Sequence, residues 1–89
     1  MSEKSNEQLR DEAHRQGDEA LRLFAEAKEL QRKADLIKDI HQHREAMKEV
    51  HSKDLEAIEH IRQSNKLSSE LARRSIEDTQ NSLRKVWNK

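Results

Sequence analysis

The segment LRDEAHRQGDEALRLFAEAKELQRKADLI, residues 9–37, carries the clearest structural pattern in the chain. Its apolar side chains recur at alternating steps of three and four residues, and polar Gln16 fills the one gap. This spacing places the apolar side chains on one face of an α-helix, as in a heptad seam. The residues of this predicted helix-packing seam are Leu9, Ala13, Ala20, Leu23, Ala27, Leu30, Ala34 and Ile37.

Four alanines in this segment, Ala13, Ala20, Ala27 and Ala34, lie seven residues apart. Alanine is the strongest helix former, which alone would explain any one of them. Their common register with the Leu and Ile positions favours a packing role instead, because small residues let two helix backbones approach closely. Close approach of this kind is typical of tight antiparallel helix pairs, although parallel pairs also tolerate alanine layers.

The same heptad frame fails in the middle of the chain, at residues 41–51, where it meets only histidine, arginine and lysine. The apolar residues there, Ile40, Met47 and Val50, are displaced by about one position. This displacement indicates either a stutter in one continuous helix or the place where the chain reverses. Further on, the frame again meets apolar residues, at Leu55, Ile58, Ala72, Ile76, Leu83 and Val86. We predict that Leu55 and Ile58 also belong to the helix-packing seam.

Three segments could interrupt the helical pattern. Residues 63–69 are the strongest candidate, because four of the seven are Ser or Asn and could cap a helix. Residues 41–45, where the frame fails, come second, and Gly17-Asp18 comes third. We therefore predict an all-α fold, with long helices in an antiparallel coiled-coil hairpin or a short bundle. The alternative is a three-helix bundle with breaks near 41–45 and 63–69, and residues 1–89 are expected to form a single helical domain.

The composition predicts that this domain buries little of its own surface. Charged residues make up 40% of the chain and hydrophobic residues 31%, with no cysteine, no proline and a single glycine. Small domains bury proportionally less surface than large ones, and no disulfide can compensate here. We therefore expect the chain to bury further surface by self-association or by docking to another helical protein.

Charge is distributed unevenly although the formal net charge is zero. Residues 1–30 carry five basic and eight acidic side chains, whereas residues 62–89 carry seven basic and three acidic ones. An antiparallel arrangement, within a hairpin or across a dimer, brings the acidic start near the basic end. Screening limits such attraction to about 10 Å at ordinary salt, so this favours an antiparallel arrangement only mildly.

Nothing in the sequence resembles the chemistry of an enzyme or a metal site. Enzyme sites need a concave pocket with converging polar groups. A chain with few predicted loops, no cysteine and no tyrosine has few residues from which to build such a pocket. The five histidines lack the paired Glu-x-x-His pattern of helical di-metal sites. We predict no catalytic residues, cofactor, metal or small-molecule substrate. No stretch is apolar enough for a membrane span or a secretion signal, so we expect a cytoplasmic protein without a membrane partner.

The C-terminal side chains Leu83, Val86 and Trp87 share one predicted helical face. They could complete the core of the bundle, which is the interpretation the scarcity of apolar residues favours. They could also dock a partner, because tryptophan is enriched at interaction hot spots.

The predicted function is therefore a non-enzymatic interaction or assembly module, such as an adaptor, scaffold, inhibitor or small regulatory subunit. The alternative is a small nucleic-acid-associated regulator that uses the basic C-terminal helix. Its basic residues are diluted by Glu70, Glu77 and Asp78, which disfavours nucleic acid as the partner. The basic residues concerned are Arg62, Lys66, Arg73, Arg74, Arg84 and Lys85.

Overall fold

The computed structural model describes residues 3–87, which form two α-helices joined by a short turn. Helix α1 spans Asn6–Asp35 and helix α2 spans Ile40–Trp87. The two helices pack against each other in opposite directions, and the molecule measures 75 × 23 × 18 Å. Residues 3–87 contain no strand. The predicted all-α helical hairpin is confirmed.

Helix α1 begins at a reciprocal hydrogen-bonded cap. The Ser5 hydroxyl accepts a hydrogen bond from the Gln8 backbone N–H at 3.2 Å, and the Gln8 side-chain oxygen accepts one from the Ser5 N–H at 2.9 Å. This capping box satisfies two of the backbone donors that a helix start leaves unpaired. Glu7 in the first turn and basic residues in the last turn suit the helix dipole.

The chain reverses at residues 36–39, and the predicted positions of the breaks are wrong. An Asp39 carboxylate oxygen accepts a hydrogen bond from the Gln42 backbone N–H at 2.9 Å, which starts α2. Residues 41–45 and 63–69 both lie inside α2, and Gly17-Asp18 lies inside α1, so the three-helix alternative is also wrong. Packing against α1 overrides the weak helix propensity of the serines and asparagine, since tertiary contacts supply most helical stability in proteins.

The alanines of α1 face residues that are also seven apart on α2, and the two series run in opposite directions. The Ser64 hydroxyl donates to the Ala13 carbonyl at 3.1 Å, and His43 Nδ1 donates to the Ala34 carbonyl at 2.8 Å. Between these two contacts, Ala20 and Ala57 lie together in the buried core. Side chains of one helix therefore bond directly to the backbone of the other, which requires closely spaced helix axes.

The residues of α2 that pack on α1 are not those at the heptad positions extrapolated from α1 along the sequence. Val50 and Ala57 are buried, whereas Leu55 is 67% exposed and Ile58 is 40% exposed. Leu55 and Ile58 therefore do not lie in the seam between α1 and α2, contrary to expectation. The reason is the non-helical turn at residues 36–39, which resets the helical phase.

The buried core is thin. It consists of four alanines, two leucines and one valine within residues 3–87, and Phe24 packs against its centre. Charged and polar pairs also cross the helix interface, such as Lys53 with Glu26 at 3.4 Å and His60 with Gln16. The buried residues are Leu9, Ala20, Leu23, Ala27, Ala34, Val50 and Ala57.

Helix α2 extends well beyond the start of α1. Arg74 donates to the Lys4 carbonyl at 2.6 Å and to the Asn6 side-chain oxygen at 3.1 Å, and it also approaches Glu3. Every residue from 75 to 87 is exposed. This projecting end, residues 75–87, is about 20 Å long at 1.5 Å per residue.

Candidate interaction surface

Helix α2 carries a second line of apolar side chains that α1 does not cover. Leu55 and Ile58 belong to it, and it continues along the projecting end. Its members recur at heptad spacing, so they share one side of the helix. We call this surface the outer stripe, and its apolar residues are Leu55, Ile58, Ala72, Ile76, Leu83 and Val86.

The outer stripe faces away from α1. Leu55 lies two residues before the buried Ala57, which is a rotation of about 200° around the helix, and Ile58 lies one residue after it, about 100° away. Ile76 and Leu83 follow Leu55 at multiples of seven residues and are 58% and 53% exposed. Polar residues complete the same line at Arg62, Asn65, Ser69 and Thr79.

On the projecting end, the side that continues the seam with α1 is polar. Asp78 and Lys85 follow the buried seam residue Ala57 at multiples of seven residues, and Asn81 follows Arg74 by seven. The apolar side chains of this end are therefore concentrated on and beside the outer stripe.

The interpretation of Leu83, Val86 and Trp87 as a cap on the hairpin core is wrong for the single chain. Trp87 is 82% exposed and Val86 is 69% exposed. The physical reason is length: α1 begins at Asn6, opposite Arg74, so it has no residue that could cover the last three turns of α2. These three side chains therefore remain candidates for partner docking.

The seam residues predicted on α1 lie on the side that faces α2. Ala20, Leu23, Ala27 and Ala34 are buried. Leu9 is buried as well, Ala13 and Leu30 are half-buried, and Ile37 is half-buried in the turn that follows α1.

Acidic neighbours offset much of the positive charge on the C-terminal half of α2. Arg73 is hydrogen-bonded to Glu70 and Glu77, and Arg62 lies 3.7 Å from Glu59. The hydrogen bond from Arg73 lowers the pKa of the Glu70 carboxyl; partial desolvation opposes this effect and Arg74 adds to it. The contacts of Arg73 with Glu70 and Glu77 raise the pKa of Arg73. These pairs weaken the basic face that would be needed to bind phosphates.

The grooves beside the helix seam are open, and one of them is lined largely by charged side chains. This groove contains Glu12, Glu19 and Arg22 from α1 and His60 from α2. A hydrogen bond from Arg22 lowers the pKa of Glu19. Within residues 3–87, no three His, Cys, Asp or Glu side chains are grouped so that they could hold a metal ion. Neither α1 nor α2 has an apolar stretch of the length needed to cross a bilayer.

One positioning residue, Asp39, and one contact of Arg74 were missed in the sequence. Asp39 is followed three residues later by Gln42, the spacing of a helix-start signature just where the heptad frame fails. Arg74 stands four residues after Glu70, and their side chains meet at 3.2 Å. This spacing predicts the ion pair but not the longer-range contact of Arg74 with the start of α1.

The fold and this surface define a two-helix hairpin whose longer helix has an uncovered apolar side. Comparison of the chain with models of known protein families, with curated proteins and with solved structures gave no match.

Proposed function

We propose that this protein is a non-enzymatic assembly module that binds a helical partner through coiled-coil-type packing along the outer stripe. The roles that fit are those of an adaptor, a scaffold, an inhibitor or a small regulatory subunit. The observation that carries the proposal is the exposure of Leu55, Ile76 and Leu83 on one side of α2.

Three physical arguments support this proposal. Exposed apolar side chains that lie together, as Leu55 does with Ile58 and Leu83 does with Val86, are unfavourable in water and commonly mark a site of interaction. The apolar residues of the outer stripe recur at heptad spacing. A second amphipathic helix has its apolar anchor residues at the same spacing of three and four residues, so the two surfaces can pack together. The thin core adds to the argument, since a hairpin that buries mostly alanine gains from covering its remaining leucines and isoleucines.

The test compares the stripe variant Leu83→Glu with the matched control Leu21→Glu. Leu21 is 69% exposed on α1 and does not belong to the outer stripe. Tagged chains are cross-linked in cells, and the mass of the captured complexes is measured. We expect the wild type and Leu21→Glu to be recovered in the same complex, and Leu83→Glu to lose it. Equal recovery of all three chains, or no complex at all, contradicts the proposal.

A gel-shift assay with duplex DNA and with RNA separates this function from that of a nucleic-acid-associated regulator. We expect no shift at low salt. Phosphate contacts weaken steeply as salt rises. A shift at 50 mM salt that disappears at 200 mM would therefore favour the regulator instead.

A further inference from the structure

We infer that the partner of the outer stripe is a second copy of this chain, bound antiparallel along α2. This inference rests on the proposed function and names the partner. The twofold axis would pass between Glu70 and Leu71, at the midpoint of the stripe from Leu55 to Val86. Each copy would contribute about nine helical turns, because 32 residues at 3.6 per turn lie between these two ends.

The two ends of the outer stripe are complementary in this register. Leu55 of one copy lies beside Val86 of the other, and Ile58 lies beside Leu83. The apolar layers at the two ends of the interface are thus paired with each other, and polar residues enter the layers between them, where Ile76 lies beside Asn65. Next to the axis, Ser69 meets Ala72 of the other copy. Small side chains at the centre allow the two α2 helices to approach closely.

The charges beside the stripe favour the same orientation. Residues 54–61 contain three acidic side chains and no Lys or Arg, whereas residues 80–87 contain Arg84 and Lys85 and no acid. The antiparallel register places the first segment of one copy along the second segment of the other. A parallel pair would place acid beside acid and base beside base, and like charges disfavour such a pair.

The hairpin leaves room for this arrangement. α1 packs on the side of α2 that carries Val50 and Ala57, and Leu55 and Ile58 of the outer stripe lie about 160° and 100° around the helix from that side. Two hairpins joined through α2 would therefore keep both α1 helices on the outside. The projecting end of each copy would lie along the α2 helix of the other, which covers the turns that α1 is too short to reach.

The first experiment measures mass by light scattering over a range of concentrations. We expect twice the single-chain mass of 10.5 kDa at the higher concentrations. Leu83→Glu, in the layer formed with Ile58 of the other copy, should raise the dimer dissociation constant at least about a hundredfold, because two apolar side chains per dimer lose their burial and each contributes roughly tenfold. The matched control Leu21→Glu should leave the constant unchanged, and circular dichroism should show the same helicity in all three proteins.

The second experiment tests orientation by disulfide formation, which the absence of natural cysteine makes free of background. Chains carrying Ile58→Cys and Leu83→Cys are mixed in equal amounts and oxidised. We expect the mixed disulfide between positions 58 and 83 to dominate. In a parallel pair these positions would be about 37 Å apart, and disulfides between identical positions would form instead.

The two levels of the proposal fail in different ways. A chain that stays monomeric at all concentrations, or a preference for disulfides between identical positions, overturns the antiparallel self-pairing. If the monomeric chain still captures a different protein in a way that depends on Leu83, the proposed function stands without the self-pairing. If it captures nothing, both are overturned.

Discussion

Ala20 and Ala57 meet at the centre of the hairpin, where each is at most 2% exposed. Their contact shows how a residue type sets the distance between two helices, because a side chain of one carbon lets the backbones approach closely. Ser64 and His43 exploit the same proximity by donating hydrogen bonds to carbonyls of α1. The alanines at heptad spacing therefore permit the close approach of the two helices, because a larger side chain at these positions would push the backbones apart.

Because Ala20 is buried beside Ala57 between the two helices, we predict that Ala20→Leu destabilises the protein. Three further carbon atoms between two close helices should cost about 1–3 kcal/mol of unfolding free energy, the usual range for an overpacked core. Urea unfolding followed by circular dichroism measures the change. Ala25→Leu is the matched control, because Ala25 is exposed on the same helix and should tolerate the exchange. A neutral Ala20→Leu would mean that the helices do not pack closely at this point.

At the scale of the helices, α1 and α2 differ in length, and this difference decides the environment of the C-terminal residues. α1 has 30 residues and α2 has 48, so one helix cannot cover the other. Arg74 marks the end of the shared region through its bonds to Lys4 and Asn6. Beyond this point, α2 projects with its apolar residues exposed.

Trp87→Ala should accordingly leave the stability of the hairpin almost unchanged. Trp87 is exposed and lies beyond the end of α1, so its removal should change the unfolding free energy by less than about 0.5 kcal/mol, as at ordinary surface positions. Thermal unfolding is measured at a concentration where light scattering gives the mass of one chain. The comparison is Leu23→Ala, which removes a buried side chain and should cost about 2–5 kcal/mol. A comparable loss for Trp87→Ala would show that Trp87 is packed within the single chain.

At the scale of the whole molecule, surface ion pairs make stability depend on acid pH. The pKa values of Glu19 and Glu70 are lowered below the ordinary value of 4.5 in the folded chain, chiefly by hydrogen bonds from Arg22 and Arg73. A carboxyl with a lowered folded pKa stabilises the folded state fully above its unfolded pKa and loses this contribution as pH falls through the folded value.

We therefore expect the melting temperature to fall as pH is lowered below about 4.5. The double variant Glu19→Gln, Glu70→Gln should show a smaller decrease over the same range, because it lacks the two carboxyls. Both carboxyls are partly exposed to solvent, so 1 M salt should also reduce the decrease by screening. A double variant with the full acid sensitivity of the wild type would assign that sensitivity to other groups.

The sequence by itself determined that this chain is helical and that α1 presents a stripe of alanine and leucine to a neighbour. These properties depend on helix propensity and on side-chain spacing within one helix, which are local and readable from the order of residues. The outer stripe also appears in the sequence, at Leu55, Ile58, Ile76 and Leu83, but there it continues the same heptad frame as the stripe on α1.

Only the tertiary structure decided where the chain turns and which stripe of α2 faces α1. The turn at residues 36–39 contains no glycine or proline that would reveal its position in the sequence. The hydrogen bond from the Gln42 backbone N–H to the Asp39 carboxylate shows that α2 starts there. Four non-helical residues shift the helical phase, so Val50 and Ala57 face α1 whereas Leu55 and Ile58 face away from it. A frame carried along the sequence assumes one continuous helix, and the rotation introduced by a turn becomes visible only once the two helices are packed.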